Sequence, residues 1–120
     1  MKIRVLALTV LVLGLAAPVA AATARHSSTT LHITAAAAGL RFSTTHLTAP
    51  AGRVTIVMKN LSVIPHDVAI KGNGVSVKGK IVSKGGLSTA AATLKKGSYT
   101  FYCTVPGHAA AGMKGTLKVT

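Results

Sequence analysis

Acidic residues are almost missing from this chain. Asp67 is the sole carboxylate side chain, against 14 Lys and Arg in 120 residues, and the formal charge is +13. A field of that sign attracts anionic surfaces and speeds their encounter, but it assigns no chemistry. Cysteine is equally scarce. Cys103 stands alone, so no disulfide forms within the chain, and the thiol is protected by burial, paired between chains or committed to a metal. Aromatics number two Tyr and two Phe with no Trp. Base stacking therefore has no platform and no nucleic-acid-binding motif is present, which excludes a nucleic-acid partner. Internal repeats, linkers and a convincing amphipathic helix are also lacking, and the length leaves room for one small domain.

One long apolar run exists, Val5 to Ala17. Met1-Lys2-Ile3-Arg4 precedes it, Pro18 ends it, and small residues follow to Ala24. The run falls short of the roughly 20 residues that span a bilayer. A charged start, a short apolar middle and an A-x-A-like end predict a secretory signal peptide over residues 1–24. Residues 25–120 are then a soluble, exported domain, periplasmic or extracellular, with no membrane segment once the signal is cleaved. Removal of Lys2 and Arg4 takes the formal charge from +13 to +11.

The rest of the chain reads as short β-type runs broken by turn residues. Residues 25–30 are a polar, mobile start. Leu31-His32-Ile33 is a first strand, Leu40–Phe42 and His46–Thr48 are weaker ones, and Pro50-Ala51-Gly52 is a turn. Arg53–Lys59 alternates clearly, with Val54, Ile56 and Met58 on one face. Asn60–Pro65 is a loop in which Asn60 and Ser62 serve turn chemistry. His66–Ile70 is a strand with His66, Val68 and Ile70 on one side. Weak strands lie at Val75–Val77 and Ile81-Val82. Leu87–Leu94 is a strand in preference to a helix, because it leads into the Lys95-Lys96-Gly97 turn. Tyr99, Phe101 and Cys103 share a face, and Gly115–Val119 closes the chain. Seven or eight such strands predict an all-β fold, a Greek-key antiparallel β-sandwich.

Chemistry concentrates between Cys103 and Met113. A thiolate, the imidazole of His108 and the thioether of Met113 fall within eleven residues, at the end of a strand and in the loop after it. Two imidazoles, one thiolate and a weak axial Met form an electron-transfer copper site. The second imidazole must come from elsewhere, and His66 is the candidate. His26, His32 and His46 have no partner spacing and read as surface residues, and Met58 reads as core. Zinc is the alternative metal, since Cys and His also bind it, but zinc does not call for Met113. A two-copper oxidase site needs two cysteines, and multicopper oxidase chemistry needs further His-rich sites.

The C-x4-H-x4-M run with its inner Thr104-Val105-Pro106-Gly107 resembles the plastocyanin and azurin group of cupredoxins. So does the earlier Asn60-Leu-Ser-Val-Ile-Pro-His66-Asp67. The resemblance runs from about Phe42 to Thr120. It implies His66, Cys103 and His108 as strong ligands of one type 1 copper ion, with Met113 as the long axial ligand. It also implies backbone N–H donors to the Cys103 sulfur from Asp67 and Val105. Asp67 and Thr104, each adjacent to a ligand, are placed to hydrogen-bond across the two loops. The expected function is one-electron carriage between redox proteins with acidic docking surfaces, such as a cytochrome, an oxidase or a reductase. The expected form is a monomer, not an enzyme, with no catalytic residues. The alternatives are a copper storage or delivery protein, and an electron-donating accessory subunit of a copper or haem redox enzyme.

Overall fold

The strict alternation of Arg53–Lys59 builds the middle strand of one sheet. The computed structural model describes residues 13–23 and 25–120, so residues 1–12 and 24 of the expected signal peptide lie outside the described residues. Residues 13–23 carry no helix or strand and are exposed. Among the described residues no helix is long and apolar enough to cross a membrane.

Eight strands follow: β1 (Ser27–Ala35), β2 (His46–Ala49), β3 (Gly52–Asn60), β4 (Ala69–Gly72), β5 (Val75–Lys78), β6 (Leu87–Leu94), β7 (Gly97–Tyr102) and β8 (Lys114–Val119). They form a three-stranded sheet in the order β1-β3-β6 and a five-stranded sheet in the order β2-β8-β7-β4-β5. The pairings differ from the antiparallel expectation at two places, where β1 runs parallel to β3 and β2 parallel to β8. In each case the two strands are joined through the opposite sheet or a long excursion rather than by a hairpin, and a parallel pair needs such a crossover. The other pairings are antiparallel.

Four local expectations are corrected. Leu40–Phe42 and Ile81-Val82 form no strands, and Phe42 and Val82 each make one isolated bridge. Ser27–Thr30 is not a mobile start but the first half of β1, in register with Gly52–Thr55. Hydroxyl side chains gave no apolar signal there, while the backbone bonds of the ladder hold the segment regardless of side chain. Regular strand in the His66 region begins only at Ala69. His66 itself makes an isolated bridge to Val82, and residues 66–70 are buried without alternation.

The core lies between the sheets. Val54, Ile56 and Met58 of β3 and Ala90, Ala92 and Leu94 of β6 face Ile70, Tyr99, Phe101, Leu117 and Val119 of the other sheet. Complete burial of each large side chain stabilises by roughly 1.5–3 kcal/mol. Phe42, in the β1–β2 connection, closes one side of the core with its ring centroid 5.7 Å from that of Phe101.

Gly115 fixes how β7 and β8 leave the sandwich. It pairs with Phe101, and a Cβ there would collide with the Phe101 ring and sit 2.6 Å from the Thr45 carbonyl oxygen. Gly115→Ala is expected to cost about 1–3 kcal/mol through overpacking. The urea midpoint of unfolding checks this, and an unchanged midpoint would show that Phe101 yields freely.

Candidate metal centre

Two segments distant in sequence meet at one end of the sandwich, and each is locked by its own hydrogen bonds. The first is Asn60–Asp67. Asn60 is fully buried, its side-chain amide donating to the carbonyls of Ile64 (2.8 Å) and Val82 (2.9 Å) while its Oδ1 accepts from the Ser62 N–H (2.8 Å). Ser62 Oγ accepts from the Ile64 N–H at 3.0 Å. The loop therefore enters Pro65 in a fixed shape. His66 is then clamped to Val82 by a reciprocal backbone pair of 3.2 and 2.8 Å.

The second segment is the hairpin connection from β7 to β8. The Cys103 N–H donates to the Met113 carbonyl (3.1 Å), and the Met113 N–H donates to the His108 carbonyl (3.0 Å). Backbone bonds thus tie together the residues of this loop marked out as ligands. His108 N–H to Val105 and Ala111 N–H to Gly107, each 3.1 Å, wind the intervening turns, and Gly107 takes the positive φ of 83° that such a turn demands.

These segments bring three donor atoms together. Nδ1 of His66 lies 3.1 Å from Nδ1 of His108, and Cys103 Sγ lies 3.8 Å from the first and 3.6 Å from the second. The circle through the three atoms has a radius of about 2.0 Å, close to the about 2.0–2.1 Å (nitrogen) and about 2.3 Å (thiolate sulfur) of a bound zinc ion. One ion of that size would be within reach of all three. The side chains of His66, Cys103 and Met113 are buried and His108 is half-buried. Met113 belongs to the same core cluster as Cys103.

The electrostatics suit a cation. Burial, and then the neighbouring His108, push the His66 pKa below 6.5, with Asp67 opposing. His66 is therefore neutral at pH 7, as a metal ligand must be. Burial raises the Cys103 pKa above 9.0, opposed by hydrogen bonds to its sulfur from the backbone N–H groups of Asp67 and Val105. Asp67 also links the segments: Thr104 donates its N–H to Oδ1 at 2.6 Å and its hydroxyl to Oδ2. His66 Nε2 is buried with no hydrogen-bond partner. Nitrogen and soft sulfur in a trigonal set, with a Met adjoining, select copper over harder metals.

The sequence profile of the copper-binding proteins, plastocyanin/azurin family, matches residues 29–120. The chain belongs to that family. The match begins in β1, upstream of the Phe42 boundary read from the motifs. Among solved structures, reduced auracyanin from the photosynthetic bacterium Roseiflexus castenholzii is 26% identical, with a TM-score of 0.69 over 78% of this chain and 98% of that one. Auracyanin A, a "blue" copper protein from Chloroflexus aurantiacus, is 23% identical, with a TM-score of 0.67 over 78% of this chain and 100% of that one. An oxidised amicyanin variant is 19% identical, with a TM-score of 0.56 over 75% and 81%, which is a likeness of fold. A search of the curated proteins found no match. As a cupredoxin the protein carries one type 1 copper ion and transfers single electrons. Cupredoxins are in general carriers rather than enzymes, and their redox partners are other proteins.

Two features that hold the His66–Val68 segment were not evident from sequence. Val82 lies in a segment with only a weak strand signal, and Ser88 is a fully buried serine whose Oγ accepts the Val68 N–H at 3.1 Å. Neither has a motif around it.

The metal-free protein should be most stable near neutrality. The unfolded chain takes up a proton on His66 below about 6.5 while the fold resists it, so stability present above 6.5 is lost as pH falls toward the lower folded value. The unfolded chain releases the Cys103 proton above about 9.0 while the fold retains it, so stability is lost as pH rises from 9.0 toward the higher folded value. Urea midpoints from pH 5 to 10 without metal test this. A profile flat across that range would contradict both shifts.

Proposed function

We propose that the protein is an exported electron carrier whose single copper ion is held by His66, Cys103 and His108, with Met113 as the axial ligand. The observation that carries this reading is the triangle of donor atoms, 3.1, 3.6 and 3.8 Å on its sides. It draws on two segments 37 residues apart. When bound, copper supplies the Cu(I)/Cu(II) couple. The chain's own part is to keep its donors still between the two valences. The Asn60 bonds, the His66–Val82 bridge and the Cys103–Met113–His108 backbone chain oppose any rearrangement. The N–H donors on the Cys103 sulfur withdraw charge from the thiolate and favour the reduced ion. His108, half-buried among exposed Pro106, Gly107, Ala110 and Ala111, is the exit route for the electron, since these residues are small enough for a partner to approach closely.

Burial of His66 and Cys103 supports carriage over storage or delivery, because a site meant to exchange its metal must open to another ligand set. Among the described residues His66, Cys103 and His108 form the one group able to hold a metal. Export is supported by the pattern of residues 1–24, a charged start, a short apolar middle and a small-residue end. We read residues 1–24 as a cleaved signal peptide and residues 25–120 as the mature, monomeric cupredoxin domain of the periplasm or extracellular space.

The outer face of the five-stranded sheet supports an acidic partner. Ser76, Lys71, Thr100, Thr116 and His46 form one row across its strands by register, with Lys78, Lys114 and Lys118 beside it and all four lysines exposed. Lys71 Nζ lies 4.5 Å above the ring of Tyr102, the residue before Cys103. No negative side chain interrupts this face.

The visible spectrum of the copper-loaded, oxidised protein tests the site. The wild type should show intense thiolate-to-copper absorption and Cys103→Ser should lose it with the fold retained, whereas a coloured Cys103→Ser would exclude this site. The lysine face is tested by reaction with a negatively charged redox protein. Lys71→Glu with Lys114→Glu should slow the second-order rate by roughly tenfold or more at about 10 mM salt, where the screening length is about 30 Å. The difference should fade at high salt, and an unaffected rate would place docking elsewhere.

A further inference from the structure

The single acid of the chain is in an unusual place. Asp67 is the only Asp or Glu among 120 residues, and it is 0% exposed. The chain has its only carboxylate where water is excluded. An ionised carboxylate in such a place is strongly unfavourable unless positive charge and hydrogen bonds compensate. The hydrogen bonds are present: Thr104 donates its backbone N–H to one oxygen and its hydroxyl to the other. Both come from one residue, and both leave the carboxyl in an accepting role, which suits its ionised form. The positive charge is not supplied by Thr104.

Asp67 follows His66 in sequence, and Thr104 follows Cys103, so the carboxylate is anchored between the two segments that carry the donors. A divalent ion bound to one thiolate has net charge +1, and the monovalent ion bound to the same thiolate has none. Adding Asp67 makes these 0 and −1. The side chain therefore neutralises the oxidised site and leaves the reduced site with an uncompensated negative charge. We propose that Asp67 is a positioning residue whose buried carboxylate is the counter-charge of the oxidised centre, lowering its reduction potential. This rests on the copper reading given above. The same residue acts in two opposed ways. Its backbone N–H, donated to the Cys103 sulfur, favours the reduced ion, and its side chain favours the oxidised one.

Asp67→Asn separates charge from shape. The amide oxygen still accepts from the Thr104 N–H, and its NH2 meets the Thr104 hydroxyl, so the tether persists without the charge. The position of the thiolate-to-copper band should be kept. The ratio of Cu(II) to Cu(I) affinity should fall by roughly ten- to a hundred-fold, the range for a charge a few ångströms away at the effective dielectric of a protein. Each factor of ten is a rise of about 59 mV in the one-electron potential. An unchanged or lower potential would overturn the proposal. Thr104→Val removes the hydroxyl and keeps the carboxylate, so it should not raise the potential as Asp67→Asn does. An equal rise would reduce Asp67 to a tether. The wild type supplies a further check that needs no variant, because Asp67 is its only side-chain carboxyl. The infrared difference spectrum between the oxidised and reduced copper protein should contain bands of an ionised carboxylate that disappear on isotope labelling of aspartate. A protonated carboxyl band in their place would overturn the proposal even if Asp67→Asn failed to fold. A colourless wild type would instead defeat the copper reading itself, before the potential is measured.

Discussion

The structure depends on holding three lone-pair atoms face to face. Two imidazole nitrogens 3.1 Å apart, with a thiol sulfur beside them, repel one another once the metal-ready protonation state is reached. No side chain would adopt that arrangement unaided. The sandwich imposes it by main-chain bonds made elsewhere: the His66–Val82 bridge on one side and the Cys103–Met113–His108 chain on the other. A cation placed among the three turns the repulsion into coordination. The protein thus spends part of its folding energy on preorganisation, and the ion finds its geometry already built.

That division of labour explains why the strands are so plain. β3, β6, β7 and β8 carry ordinary alternating patterns, and their buried faces need only be apolar and of the right volume. The end of the sandwich that carries the site adds close contacts of its own. There the glycine at 115 lets β8 pass under the Phe101 ring, and Asn60 satisfies two carbonyls and an N–H that the loop would otherwise bury unpaired.

Much of this was readable in advance. Arg53–Lys59 and Tyr99–Cys103 alternate at period two and became β3 and β7, and the Cys103–Met113 spacing marked the ligand loop. The Asp67–Thr104 link followed from each residue's position beside a ligand. Other features left little trace. Ser27–Thr30 has no apolar alternation, so its parallel pairing with β3 was invisible to a pattern that counts hydrophobic residues. The partners of the His66–Val68 segment escaped for a related reason: Val82 pairs with His66 through its backbone and Ser88 takes the Val68 N–H on its hydroxyl, and any sequence offers such groups in quantity. The parallel pairs are a property of topology, which periodicity does not encode. The convergence of His66 on Cys103 came from the family resemblance and from the need for a second imidazole, not from any local signal.

The hairpin between β7 and β8 separates the donors unequally. Cys103, His108 and Met113 occupy one short connection between adjacent strands, whereas His66 joins only when the β4–β7 pairing forms. Closing an eleven-residue loop costs less chain entropy than closing one several times longer. The hairpin is therefore a subassembly that can form before the rest of this end of the sandwich is in place, with His66 arriving last as the clasp. If the β4–β7 pairing opens, three of the four proposed donors stay within one hairpin, and re-docking a single histidine restores the set.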